Sequence, residues 1–446
     1  MSKRKSRNKL RSDRLLGLKY ISGNKGGRNI AIKGDNLNAL SAISNWSEPV
    51  DVIYIDPPYN VGGNFGYKNR WNGNSGQKFS WAKDHGEFLA FMDMRLRLAR
   101  NVLADEGVIF VSICDQEYCH LKLLMDDIFG NKNALGTVIW DKSQGANGKH
   151  LTTIHEYILV YAKNRSRAPR LTKAKPAAEL MVEKAQSLKD RKLKYCDAQC
   201  EFKRWVATAQ KEGLIGSGES PYKNLHPKTY RPFQATPSCA HDNPDRRSHK
   251  QLIHPVTGKK CKVPAKGWKW SEATLKSMIA FKKVYEGDNF VIAGKMVYGK
   301  DESTVPRKLQ YLDEKMHTAF PSVLSISYGG QKDLPKELSF STPKPLNLMK
   351  ELIKAYPNKN CVVLDFFAGS GSTAHAVDQL NKEDGGKRSW IVVECMESTF
   401  ENVLMPRFSF FEDKDVVVYE AIKKLKEVEG GKAGSHISSN QLSKCI

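Results

Sequence analysis

Two short segments carry residue types in an order that could do chemistry. The first, Ile55-Asp56-Pro57-Pro58-Tyr59-Asn60, sets a carboxylate, a proline carbonyl and an aromatic ring side by side. Consecutive prolines fix φ twice and withhold two amide donors, so this is a rigid strand exit and not a central strand. Asp56 and the Pro57 carbonyl can accept both hydrogens of a planar exocyclic amine while Tyr59 stacks on the ring that bears it. The same residues also suit an ordinary Pro-Pro turn. The second segment, Leu364-Asp365-Phe366-Phe367-Ala368-Gly369-Ser370-Gly371-Ser372-Thr373, reads as a strand, a glycine turn and a helix start. Glycine lets the backbone approach a ligand closely, and ligands of α/β proteins bind at the carboxyl edge of the sheet. No Gly-Lys-Ser/Thr follows, and the third glycine of a dinucleotide fingerprint is missing, so the pair alone reads equally as a tight turn. The next strand ends at Glu394, about 20 positions on, a spacing that suits ribose hydroxyls as well as a solvated strand end.

These segments need elements to position them. Val50 to Ile55 is a β-branched run of the buried-strand type, and Val108 to Ile113 is another. Ile30 to Lys33 is a short apolar stretch, after which Asn36 can cap a helix bearing Leu37, Leu40 and Ile43. Phe88, Met92, Leu96, Ala99 and Leu103 recur at helical spacing, and Asp115 can cap a helix that runs towards Phe129 and stops at Gly130. Val138-Ile139-Trp140 and Tyr157 to Tyr161 read as a strand pair. Cys361 to Asp365, a helix from about Ser372, and Trp390 to Glu394 resume the alternation. Strand and helix alternating in this way imply an α/β fold whose sheet is mostly parallel with one antiparallel strand. Between Asn164 and Phe340 periodicity weakens and Pro, Gly, basic and aromatic residues mix, which marks an inserted domain. The expected division is a basic flexible arm (1–28), an α/β half (29–165), an insert (166–335), a second α/β half (336–426) and a polar tail (427–446).

Composition narrows the partners. The 446 residues include 71 Lys and Arg against 48 Asp and Glu, a formal excess of +23. Such an excess says nothing about fold but favours a polyanion, most simply nucleic acid; a charge that only keeps the chain dispersed is the bland reading. No run of about 18 apolar residues exists, so no spanning helix and no membrane partner is expected, and the basic start lacks the apolar segment of a secretory signal. Nine scattered cysteines read as reduced thiols of a cytoplasmic protein. Cys196, Cys200, Cys239, His241, His249, His254 and Cys261 could be assembled into a zinc site, but the spacings fit no standard pattern, and no metal is expected.

Together the two segments resemble the DNA amino-methyltransferases that use S-adenosylmethionine. In that family the Asp/Asn/Ser-Pro-Pro-aromatic box is catalytic and the Phe-x-Gly-x-Gly turn holds the cofactor. The order here, catalytic box first, is the circularly permuted β-class arrangement. Further stretches are similar to the modification (Mod) subunits of type III restriction systems: Lys33 to Leu40, His155 to Asn164, Ser341 to Pro345, Asp365 to Val377 and, within the insert, His254 to Lys259 and Gly267 to Ser271. The chain is shorter than typical Mod subunits. The resemblance implies a circularly permuted Rossmann-like methyltransferase sheet with an inserted target-recognition domain. It implies that Asp56, Pro57, Pro58 and Tyr59 hold the target base. Asp365, Phe366, Phe367, Ala368, Gly369 and Gly371 would line the methionine end of the cofactor, Glu394 its ribose and Asp35 its adenosyl ring. Lys344-Pro345 would head the helix that closes the pocket. Arg231, Arg246, Arg247, Lys259, Lys260, Trp268 and Trp270 are candidate DNA contacts, each also readable as a surface charge or core ring.

The implied reaction is methyl transfer to the N6 amine of a flipped-out adenine, with double-stranded DNA, a second copy of the chain and a restriction (Res-type) subunit as expected partners. Asp at the first box position leans towards adenine, while cytosine N4 is the near alternative. A nucleic-acid-binding protein with an inactive methyltransferase fold, and an RNA or protein amine methyltransferase, are the more distant ones. No cysteine nucleophile motif stands out, which disfavours methylation at ring carbon.

Overall fold

The computed structural model describes residues 17–59, 85–143, 150–240, 247–281, 283–327 and 329–422. It divides into two compact units, one built from the segments up to Leu171 and from Pro321 onward, the other from Thr172–Phe320. The second unit begins later and ends earlier than the expected 166–335. The polar tail and the first sixteen residues of the basic arm lie outside the described residues.

The first unit is built on ten strands: β1 (Leu18–Gly23), β2 (Asn29–Lys33), β3 (Val50–Ile55), β4 (Leu103–Ile113), β5 (Ala134–Asp141), β6 (His155–Ala162), β7 (Val323–Ser325), β8 (Val362–Asp365), β9 (Ser389–Glu394) and β10 (Val416–Ala421). They form one sheet in the order β1-β10-β2-β9-β8-β3-β4-β6-β5-β7. The run from β10 to β4 is parallel throughout. β6 is antiparallel to both of its neighbours. This is the expected α/β sheet with one correction: β1, inside what reads as a flexible arm, pairs antiparallel with β10 and adds a second antiparallel strand. Five of its six residues are exposed, so it lacks the apolar signal that marks the inner strands.

Side-chain alternation explains the layers. Ile53 and Ile55 of β3, Ile109 and Val111 of β4 and Ile391 and Val393 of β9 share one core with α1 (Asn36–Ile43), α2 (His85–Val102) and α3 (Asp115–Met125). Trp390 turns to the opposite face and packs on Phe408 at 4.8 Å between ring centroids. Asp35, not Asn36, caps α1, accepting from the amides of Leu37 and Asn38. Asn36 instead donates to the Phe366 carbonyl at 2.9 Å, tying the first part of the chain to the glycine turn of the last. Cys114 occupies the cap position of α3, one residue before the expected Asp115. The late elements α4 (Leu346–Ala355) and α5 (Ser372–Asp384) pack against each other.

The consequence for chemistry lies in the pairing of β3 with β8. Val363 registers with Val52 and Leu364 with Ile53, so two strands far apart in sequence run parallel as neighbours. Neighbouring strands lie about 4.8 Å apart. Both end at the same sheet edge, one at Asp56 and the other at Asp365. Asp51 secures the pair from within, its carboxylate accepting from the Val362 amide at 2.8 Å.

The second unit holds the helices Pro176–Asp190 and Tyr195–Lys211 and a six-stranded antiparallel sheet. One of its cores gathers Met181, Phe202 and Leu312, and another gathers Trp268, Leu275 and Tyr298. Among the described residues, no helix is long and apolar enough to cross a membrane.

Candidate active site

A cavity of about 700 Å³ opens at the sheet edge where β3 and β8 end. Asp56, Pro57, Pro58 and Tyr59 line one side of it, and Asp365, Phe367, Ala368 and Gly369 line another. The segment Ser339 to Lys344 supplies a third wall. Asp35, Phe366, Gly371, Glu394 and Pro345 do not line it. Phe366 is buried in the core, Asp35 is occupied in capping α1 and in an ion pair with Arg95 at 3.2 Å, and Pro345 caps α4. Asn60 lies outside the described residues.

The glycine turn is held from several directions. Asp365 accepts from the Phe367 amide at 3.0 Å and from the Thr373 hydroxyl at 2.5 Å. Glu394 accepts from the Gly369 amide at 2.9 Å and from the Met396 amide at 2.8 Å, so it shapes the turn from behind. Arg407, fully buried, donates to the Ser370 carbonyl at 2.9 Å, and burial brings its guanidinium down to about 10. Gly371 caps α5 with φ of 82°, the left-handed region that favours glycine, and a Cβ there would stand 2.6 Å from Leu404. Gly369 faces Phe340 so closely that a Cβ would come within 3.1 Å of the ring. Burial pushes Asp365 up to about 7 despite its two hydrogen bonds, and Asp56 and Glu394 push the same way. Glu394 is likewise raised, first by burial.

At the opposite end, a network of charged groups surrounds Asp56. Its Oδ1 accepts from the Tyr59 hydroxyl at 2.6 Å and pairs with the Lys344 ammonium at 3.1 Å. Lys344 also donates to Glu156 Oε2 at 2.8 Å and to the Tyr59 hydroxyl at 3.0 Å. The other oxygen of Glu156 accepts from Lys142 at 3.2 Å. The antiparallel register of β5 and β6, Trp140 opposite Glu156, brings Lys142 and Glu156 together. The rings of Tyr59 and Trp140 lie 5.1 and 5.3 Å from the Lys344 ammonium. The cavity leaves 26% of the Asp56 side chain exposed, yet protein surrounds it, and desolvation raises its pKa against the pull of Lys344. Burial also drives Glu156 up and Lys344 down, but their mutual attraction outweighs it, leaving the carboxyl below and the ammonium above their ordinary values.

Tyr59 is therefore turned inward onto Asp56 in this structure. Lys344, grouped by sequence with the cofactor side, precedes α4 as expected but sends its ammonium to the base side. Sequence reading quoted Glu156 without giving it a role and missed Lys142, Tyr54, Phe340 and Arg407. The His-Glu pair that opens β6 was the available signal for Glu156. Lys142 gave none, because only strand register places it.

The candidate DNA contacts are scattered over the second unit. Arg231 makes a bidentate pair with Asp313, reaches Glu314 and lies over the Tyr311 ring, so its guanidinium is engaged within the protein. Lys259 pairs with Glu302 at 3.4 Å and is 72% exposed, and Lys260 is exposed. Arg247 is half-buried, and Arg246 lies outside the described residues. Trp268 is a correction. Its ring is fully buried and its indole donates to the Lys250 carbonyl at 2.8 Å, so no face is open to a base. Trp270, half-buried, packs on the same core.

For metals, both nitrogens of His254 face backbone groups, Nε2 the Gly299 carbonyl and Nδ1 the amides of Val256 and Thr257. His241 is outside the described residues. Among those described, His85, Glu117 and His120 lie close enough to share an ion. His85 Nδ1 already pairs with the Glu117 carboxylate at 2.8 Å, and its ring stacks on that of His120 at 4.2 Å.

Comparison with known proteins adds the following. The sequence model of a family described as DNA methylase matches residues 50–405. The chain is 32% identical to the type III restriction-modification enzyme StyLTI Mod subunit of Salmonella typhimurium, over 87% of this chain and 56% of that one. It is 29% identical to the EcoP15I Mod subunit of Escherichia coli, over 84% of this chain and 60% of that one. It is 28% identical to the type II methyltransferase M.KpnI of Klebsiella pneumoniae, over 86% of this chain and 85% of that one. The chain thus spans somewhat more than half the length of the two Mod relatives.

Proposed function

We propose, from the premise that this chain belongs to the DNA methylase family, that it methylates the N6 amine of adenine in double-stranded DNA, with S-adenosylmethionine as the methyl source. The observation that carries this is the sharing of one cavity by the Asp56–Tyr59 box and the Gly369 turn. Its volume of about 700 Å³ lies in the range of small-molecule sites.

The residues present fit that cofactor. A molecule bearing cationic centres suits a turn whose Asp365 carboxylate lines the cavity, with Glu394 shaping that turn from behind. Gly369 leaves no side chain of its own between the turn and the Phe340 ring that walls the cavity. When bound, S-adenosylmethionine supplies a methyl group already activated on a sulfonium centre. The chain's own work is orientation. Asp56 and the Pro57 carbonyl accept the two amine hydrogens, which favours a nitrogen with its lone pair available. Asp56 is also the nearest base for the proton that the nitrogen must shed. Tyr59, released from Asp56, offers its ring for stacking. Good alignment of reacting groups is worth about 7–11 kcal/mol of a barrier. A base inside a duplex must first be turned out of the stack, at a cost of a few kcal/mol, and basic side chains hold the phosphates meanwhile.

The relatives' names, type III Mod subunits among them, support a restriction-modification setting and a Res-type subunit as partner. Duplex DNA incubated with the protein and methyl-labelled S-adenosylmethionine, then hydrolysed to nucleosides, tests the reading. Label is expected in N6-methyldeoxyadenosine; label in N4-methyldeoxycytidine, or none in DNA, contradicts it.

A further inference from the structure

We infer that Lys344, held in place by Glu156, is a positioning residue that fixes the charge and direction of the Asp56 carboxylate. This rests on the reading that Asp56 receives the target amine. It assigns Lys344 to the base side of the cavity and gives Glu156 and Lys142 a part in the reaction.

Three observations converge. First, the Lys344 ammonium bridges the two carboxylates, 3.1 Å from Asp56 and 2.8 Å from Glu156, and is only 10% exposed. An ammonium so placed has exchanged water for these two partners, and breaking such a pair leaves an uncompensated charge. Second, Glu156 is itself neutralised from the far side by Lys142, so two carboxylates and two ammoniums balance. Third, the Lys344 contact and the Tyr59 hydroxyl both fall on Oδ1 of Asp56, which fixes the carboxylate's orientation at the strand exit. Ionised, Asp56 is the stronger acceptor of an amine hydrogen and can also take up its proton. Among the described residues, Glu156 at the start of β6 and Asp365 at the end of β8 work against that ionised form, whereas the Tyr59 hydroxyl favours it through its hydrogen bond but brings no positive charge. Among the described residues Lys344 is the cation in contact with Asp56, and Lys142 acts one step behind, through Glu156.

Without Glu156 the ammonium would lose one of its two anchors, and without Lys344 the two carboxylates would repel across a desolvated gap. The two losses therefore act on Asp56 with opposite sign. Removing the ammonium makes Asp56 harder to ionise; removing the second carboxylate makes it easier.

Isotope-edited infrared difference titration of ¹³C-aspartate-labelled full-length protein reads the Asp56 carboxyl directly, with Asp56→Asn as the subtracted reference. Lys344→Met is expected to move its midpoint up by about 1–3 pH units. Glu156→Gln is expected to move it down, and Lys344→Arg to keep it near the wild-type position. The acid limb of the single-turnover methylation rate should follow the same order. A merely structural role would lower the rate without moving the limb. An unchanged midpoint in Lys344→Met, or shifts of the same sign in both variants, overturns the assignment. Should Lys344→Met fail to fold, Lys344→Gln, uncharged but polar, carries the same expected upward shift, and an unchanged midpoint there overturns the assignment equally. If the wild type transfers no methyl group, the functional reading falls, while the titration still decides whether Lys344 governs Asp56.

Discussion

At the scale of single residues, the sheet edge sorts its carboxylates by their surroundings. Asp56 faces an ammonium; Asp365 faces a hydroxyl and an amide and is pushed up to about 7. Its folded-state value lies above the ordinary carboxylate range, so near neutrality a share of the free protein carries a proton there. A cation bound beside it favours the ionised form, and the proton must leave. Affinity for S-adenosylmethionine is therefore expected to be weaker below pH 7 and to rise as the pH climbs through it, with proton release on binding. Calorimetry in buffers of different ionisation enthalpy measures both, and Asp365→Asn should flatten the dependence. A flat wild-type profile between pH 6 and 8 would remove Asp365 from the cation's surroundings. The box and the turn were legible in the sequence because each is contiguous. The Lys142–Glu156–Lys344 set was not, because its members come from β-strand register and from a segment nearly 190 positions away.

Elements were legible where burial wrote a pattern and illegible where it did not. The inner strands β3 and β4 are apolar and wholly or largely buried, and their sequence shows it. Strand β1 lies at the sheet edge with most of its side chains in water, so it reads as an arm. The caps of α1 and α3 each fall one residue before the expected position: at α1 the Asp35 side chain takes the amides expected of Asn36, while at α3 Cys114 holds the position without a side-chain cap bond. The turn into α5 makes a prediction at this scale. Gly371→Ala must hold a left-handed residue and also crowd Leu404, whereas Gly385→Ala, at φ of 65° past the other end of the helix, meets nothing within 4 Å. The backbone term of about 1–2 kcal/mol applies to both, so Gly371→Ala should lose more stability than Gly385→Ala. Chemical denaturation of the two variants measures the difference; equal losses would mean that the turn yields to the added methyl group.

For the whole molecule, the composition favours a polyanion partner, and the second unit shows why charge alone does not find the contacts. Arg231 spends its guanidinium on Asp313, Glu314 and Tyr311, and Trp268 is sealed in a core. Lys259, beside Glu302, and Lys260 are exposed and are the simpler phosphate partners. DNA affinity is expected to fall steeply with salt, and Lys260→Ala should reduce the log–log slope by about 0.9 if it neutralises one phosphate. Arg231→Ala should leave the slope alone and cost up to about 1 kcal/mol of stability. Fluorescence anisotropy across a salt series distinguishes the two. The loss of periodicity after Asn164 reads as an insert, and the second compact unit, Thr172–Phe320, lies inside that stretch.

The juxtaposition of Asp56 with the glycine turn is tested most directly by Asp56→Ala, assayed for transfer of labelled methyl to duplex DNA beside calorimetric binding of S-adenosylmethionine. Methyl transfer should vanish while cofactor affinity stays within about threefold of wild type, since the lost carboxylate lies on the base side. Transfer at the wild-type rate would contradict the account at its centre.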